Sequence, residues 1–142
     1  MIIYNNKKYT PDIIYHKTLG ENDIFVFGSN LGGRHGKGAA KDAIMYHDAK
    51  YGQAKGRQCF SYAIVTKDLT KDIHPSVSLE SIKLQIIDLF IYAEYYSELT
   101  FWLVKIGTSL AGFSVAEIAS IFADMTIPQN VILPKEFAEL NN

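Results

Sequence analysis

One stretch constrains this chain more than any other: Gly28 to Ala43, GSNLGGRHGKGAAKDA, which lies between an apolar run, IFVF (Ile24 to Phe27), and a segment of helical spacing that begins near Ala39. Five glycines, Gly28, Gly32, Gly33, Gly36 and Gly38, remove Cβ atoms just before that helix starts. A helix start carries N–H donors without intrahelical partners and the positive end of the macrodipole, and glycine lets an anion come within hydrogen-bond distance. Glycine is also used in loops simply because it tolerates positive φ. The position after a strand favours a ligand, since open α/β sheets bind ligands at the carboxyl ends of their strands.

The rest of the chain reads as alternating strands and helices. Met1 to Tyr4 suits a short edge strand, Asn5 and Asn6 a turn, and Lys8 to Tyr15 a second strand interrupted at Pro11, a residue confined to edges and strand starts. Asp23 to Phe27 is a buried strand by its continuous apolar character. Ala40, Ala43, Ile44 and Tyr51 predict a helix over Ala39 to Tyr51, with Gly52 closing it. Cys59 to Thr66 alternates as a strand, with Tyr62, Ile64 and Thr66 on one side and Ser61, Ala63 and Val65 on the other.

After a loop from Leu69 to Val77, Ser78 caps a helix to about Tyr96, with Leu79, Ile82, Ile86, Leu89, Phe90 and Ala93 on one face. Thr100 to Ile106 is a further strand and ends in a second glycine-containing loop, Gly107 to Phe113. Ser114 and Glu117 form a capping box for a helix whose buried stripe is Val115, Ile118, Ala119, Phe122 and Met125. Asn130 to Leu133 supplies a last strand before Pro134. The alternation predicts an α/β, three-layer α/β/α domain around a mostly parallel mixed sheet. The 142 residues fit a single domain, with an N-terminal edge segment over 1–22 and a core over 23–133.

Composition narrows the partners. A net charge of −1, without a basic cluster, disfavours bulk nucleic acid. The single cysteine, Cys59, and four scattered histidines give neither an internal disulfide nor a metal-ligand spacing, so no metal and no cofactor are expected and the interior is read as that of a cytoplasmic protein. The longest apolar run, Leu84 to Ala93, is broken by Gln85 and Asp88, and no basic, apolar, small-residue signal opens the chain, so neither membrane spanning nor secretion is expected. The aromatic stretch Phe90 to Trp102 is read as core packing, with surplus tyrosines as candidates for a homo-oligomer contact.

Two familiar phosphate motifs fail. A Walker loop requires glycine where Leu31 stands and Ser or Thr where Gly38 stands, and the dinucleotide fingerprint requires Gly or Ala in place of Lys41. Two glycine-containing loops, each after a strand and before a helix, could instead clamp a diphosphate with backbone donors, which does not demand a basic protein.

GRHGKGAA (Gly33 to Ala40), IVTK (Ile64 to Lys67) and KIGTSLAGF (Lys105 to Phe113) occur in the order and spacing seen in macro domains. The chain especially resembles the branch that removes ADP-ribose from glutamate or from DNA bases. It also resembles small macro-like proteins of phages, where runs similar to VFGSNLGGRHGKGAAK and SYAIVTKD recur. The resemblance covers about Asp23 to Leu133. It implies phosphate contacts at Gly36, Gly38 and Ala39 and at Gly107, Thr108, Ser109, Leu110 and Ala111. Asn30 falls where that fold turns polar groups toward the distal ribose, or else caps the turn after its strand. Phe113 either covers the ribose or packs under the last helix. Arg34 either pairs with a phosphate or stays in an exposed salt bridge, and His35 either touches the ligand or shields the loop.

In the similar hydrolase branch a lysine at the position of Lys67 attacks the anomeric carbon, and a desolvated lysine is a plausible nucleophile; the alternative is a solvated lysine or a cation near the phosphates. Two departures bear on this. Ala111 stands where the branch has an assisting acid, with Asp68 and Asp72 nearby in sequence, and general acid–base help is typically worth ~100- to 10,000-fold. The stretch Tyr15 to Gly20 lacks the aspartate that commonly binds adenine; Asp12 and Asp23 are the nearest. The expectation is therefore a binding module for ADP-ribose or a related, even cyclic, nucleotide signal, which in a phage-like setting would sequester a host defence signal. A hydrolase using Lys67 and a scaffold with a vestigial pocket are the alternatives.

Overall fold

The computed structural model of the chain describes residues 2–4, 7–12, 14 and 16–139. Strands β1 (Ile2–Tyr4) and β2 (Lys7–Tyr9) pair antiparallel as a two-stranded sheet of their own, and a short 3-10 turn follows at His16–Thr18. The second strand is thus shorter than the expected Lys8 to Tyr15. The turn expected at Asn5 and Asn6, like Ile13 and Tyr15, lies outside the described residues. Thr10 joins the main body at one sheet edge, its N–H donating to Leu133 O and its hydroxyl to Ile132 O, both at 2.9 Å.

The continuous apolar run read from sequence is the middle of β3 (Asp23–Asn30), where Ile24, Phe25, Val26 and Phe27 are all buried. Such a run suits a strand covered on both faces. After α1 (Gly38–Tyr46) and the edge strand β4 (Gly56–Gln58), β5 (Ser61–Lys67) pairs parallel with one side of β3. After α2 (Leu79–Tyr95), β6 (Thr100–Leu103) pairs parallel with the other side. Then come α3 (Val115–Ala119), a 3-10 turn at Ser120–Phe122, β7 (Val131–Ile132) and α4 (Lys135–Glu139). The strand order is β4-β5-β3-β6-β7, with only β4 antiparallel to its neighbour.

Side-chain alternation divides the core in two. Ile24, Val26, Tyr62, Ile64, Phe101 and Leu103 meet α2, α3 and α4, whereas Phe25, Phe27 and Ala63 meet Ala40 and Ala43 of α1. Helices on both faces of a largely parallel sheet make the expected three-layer α/β/α arrangement. On α2 the stripe Ile82, Ile86, Leu89, Phe90 and Ala93 is buried and Ser78 Oγ accepts from Ser81 N–H. On α3 the capping box is complete: Ser114 Oγ accepts from Glu117 N–H at 3.0 Å, and Ser114 N–H donates to Glu117 Oε1 at 2.9 Å.

Several boundaries differ from expectation, two of them for evident local reasons. Helix α1 stops at Tyr46 instead of Tyr51, because His47 turns inward to stack on Phe25 (ring centroids 4.3 Å) and Asp48 takes a left-handed backbone, φ +56°. The strand expected from Cys59 starts at Ser61: Cys59 sits at φ +52°, and Gly56–Gln58 folds back beside Ser61–Ala63. Buried Gln58 holds the intervening segment, accepting from Lys50 N–H at 2.8 Å and donating to Gln53 O at 2.9 Å. Pro134, expected only to follow the last strand, directly precedes α4, its carbonyl accepting Phe137 N–H and Ala138 N–H at 3.1 Å, and Phe137 enters the core.

Candidate functional site

The parallel strands β5 and β3 end together at Lys67 and Asn30, and β6 ends at Leu103, opposite Val26 of β3. From β3 the chain leaves through α1 on one face, and from β6 through α3 on the other. Adjacent strands whose connections part in this way leave a crevice at their carboxyl ends, the usual ligand position in open α/β sheets. A cavity of about 630 Å³ lies there. This is within the range of small-molecule sites.

The loop from Leu31 to Lys37 is fixed from behind. Asn30, 6% exposed, receives Arg34 N–H on Oδ1 at 2.9 Å and donates from Nδ2 to Arg34 O at 2.7 Å. His35 is buried edge-on against Phe27, with Nε2 at 3.0 Å from Gln53 O. With these anchors turned inward, Arg34, Gly36, Lys37, Gly38 and Ala39 form the cavity wall. The α1 hydrogen-bond ladder begins with Lys41 N–H to Lys37 O, and Lys37 gives no side-chain cap, so the N–H groups of Gly38, Ala39 and Ala40 precede the first intrahelical bond. A Cβ on Gly36 would meet nothing within 4 Å, and the backbone of Gly36 is not in the left-handed region. Neither conformation nor internal packing requires glycine at that position.

The second loop is held by its own glycines. Gly107 (φ +74°) would bring a Cβ to 2.8 Å from Ile118 Cδ1, and Gly112 (φ +91°) one to 2.8 Å from the carbonyl carbon of His74. Gly107, Ser109, Leu110 and Ala111 face the cavity. Thr108 does not: its hydroxyl donates to Lys105 O at 2.8 Å. Phe113 is buried in the core beside Ile118, its N–H on Gly107 O, which places it under the helix and off the cavity wall. Thus the loops bring together most of the residues singled out from sequence. Asn30 reaches the wall while its amide is spent on its own turn, and His35, Thr108 and Phe113 stand behind it.

Lys67 lies on the wall at the end of β5, its carbonyl accepting Leu31 N–H at 3.0 Å. Arg34, Lys37 and Lys105 share that wall, and among the described residues no Asp or Glu does. Lys105 is ion-paired with Glu136 at 2.9 Å and Asp12 at 3.2 Å, and the hydrogen bonds it donates to these two carboxylates, Glu136 first, raise its pKa. Asp68 and Asp72 are off the wall; Asp68 Oδ1 accepts from Thr70 N–H and Oγ1, which lowers its pKa. The result is a cationic hollow in a chain of net charge −1.

Sequence reasoning missed Lys37, Tyr51, Leu69, His74 and Lys105 as wall residues. Lys37 and Lys105 sat inside the quoted motifs and were within reach of inspection. Tyr51, Leu69 and His74 come from segments with no local signature. The 16–20 stretch is remote: Leu19 and Gly20 line a second, smaller cavity of about 230 Å³ beside Asp23 at the opposite end of β3. Asp23 itself accepts from Trp102 Nε1–H and Gly20 N–H. Among the described residues no three His, Cys, Asp or Glu side chains are placed to hold a metal, and no helix is long and apolar enough to cross a membrane. The chain matches no protein-family model, no curated protein and no solved structure.

Proposed function

We propose that the cavity binds ADP-ribose or a related nucleotide-derived anion, linear or cyclic, and that the protein is a macro-like binding module. One observation carries this reading: two glycine turns that follow adjacent parallel strands line a single hollow with Arg34, Lys37, Lys67 and Lys105 and no carboxylate among the described residues. Backbone donors at a helix start and the cations Arg34, Lys37 and Lys67 both favour phosphate oxygens, while Lys105 is already held by Glu136 and Asp12. Glycine at Gly36, where the protein itself makes no use of a missing Cβ, fits a ligand that approaches the main chain closely. The resemblance to macro domains names the ligand class, and its phage-associated members suggest capture of a defence signal in the cytoplasm.

Isothermal titration calorimetry with ADP-ribose, cyclic ADP-ribose and cyclic dinucleotides tests the proposal. Binding of one of them in the micromolar range is expected, and no heat and no thermal shift with any would end it. A hydrolase is the second reading, favoured by Lys67 on the wall. It is opposed by Ala111 at the acid's position and by the absence of carboxylates from the described wall.

A further inference from the structure

We infer that His74 is a ligand-contacting residue of this cavity, presenting a fixed Nε2–H donor to the bound anion; the inference rests on the anion-binding reading above. Three observations support it. His74 lines the cavity although it lies seven residues beyond Lys67, in a loop without helix or strand. Its ring is oriented: Nδ1 is 2.7 Å from Ser76 Oγ, which itself accepts Asp68 N–H at 2.8 Å. Its backbone is clamped by the second glycine loop, since a Cβ on Gly112 would stand 2.8 Å from the His74 carbonyl carbon and 2.9 Å from Pro75 N.

A serine hydroxyl has one hydrogen to give, and among the hydrogen bonds of the described residues Nδ1 of His74 is its one available acceptor. When Ser76 donates to Nδ1, the neutral imidazole carries its proton on Nε2, and that nitrogen has no protein partner among the described residues. Gly112 thus has a second role: it lets the loop after β6 pack on the loop after β5, so that one bound anion can touch both.

The test uses the full chain, with ADP-ribose, cyclic ADP-ribose and inorganic pyrophosphate as probes. Nitrogen-15 NMR of the wild type is expected to show His74 as the Nε2–H tautomer, with a shift of that nitrogen on saturation with whichever probe binds. Affinity is expected to fall about tenfold or more in His74→Phe, the range for a hydrogen bond to a charged group, and to be partly restored in His74→Gln, whose amide reaches the Nε2 position. Ser76→Ala is expected to weaken binding by a smaller factor and to populate the other tautomer. Wild-type affinity in His74→Phe, or an Nδ1–H tautomer in the wild type, would overturn the inference while leaving the anion site intact. Failure of the wild type to bind any probe would overturn both.

Discussion

The carbonyl of Gly33 accepts the N–H of Gly52 at 2.8 Å, and a Cβ on Gly33 would stand 2.5 Å from the carbonyl carbon of Gly52. This backbone contact seats the first glycine loop on the turn after α1. Gly33 also lies at φ +66°, so both conformation and space require glycine. Gly33→Ala should therefore cost about 2–4 kcal/mol in urea denaturation. Gly36→Ala, in open space without positive φ, should change stability by about 0.5 kcal/mol or less. Equal stabilities for the two variants would show that the loop is not held as described.

Gly36→Val separates function from folding. The added side chain meets no protein atom within Cβ reach but projects from the cavity wall. Calorimetry should register a loss of about tenfold or more in affinity for the anion, equivalent to ~1.4 kcal/mol or more, with an unchanged melting temperature. A partner captured equally well by the wild type and by Gly36→Val would favour the scaffold reading.

Lys67→Ala distinguishes binding from hydrolysis. If Lys67 acts only as one of the wall cations, the variant should lose a few-fold in affinity, and the loss should shrink as salt is raised. If it is a nucleophile, wild-type turnover of glutamate-linked or base-linked ADP-ribose should be measurable and should vanish in the variant. No turnover by the wild type on either substrate would remove the hydrolase.

Stability should depend on pH through His47. Burial, then the neighbouring His16, lowers its folded pKa below the usual value near 6.5, with Asp42 and Asp48 acting in the opposite direction. Above about pH 6.5 both folded and unfolded forms hold the ring neutral. As pH falls below that value the unfolded chain takes up the proton first, so stability drops until the folded pKa is passed. Urea midpoints between pH 7.5 and 5 should show this slope in the wild type and a shallower one in His47→Gln. An unchanged slope would assign the acid sensitivity elsewhere.

Local chemistry determined much of this protein. The apolar run of β3 suited a strand buried on two faces, Ser78 and the Ser114–Glu117 pair fixed the starts of α2 and α3, and the two glycine loops marked the sheet edge where the cavity lies. These signals are read within a few residues, where backbone propensity and capping act. What the wall contains was decided by packing over long separations. Asn30 and His35 turned inward because Arg34 and Gln53 offered them partners, and Phe113 was taken by the core. Tyr51 and His74 reached the cavity because Gly33 and Gly112 let distant turns dock. The sequence listed the polar groups near the loops, and the free energy of burying each one chose which would remain on the cavity wall.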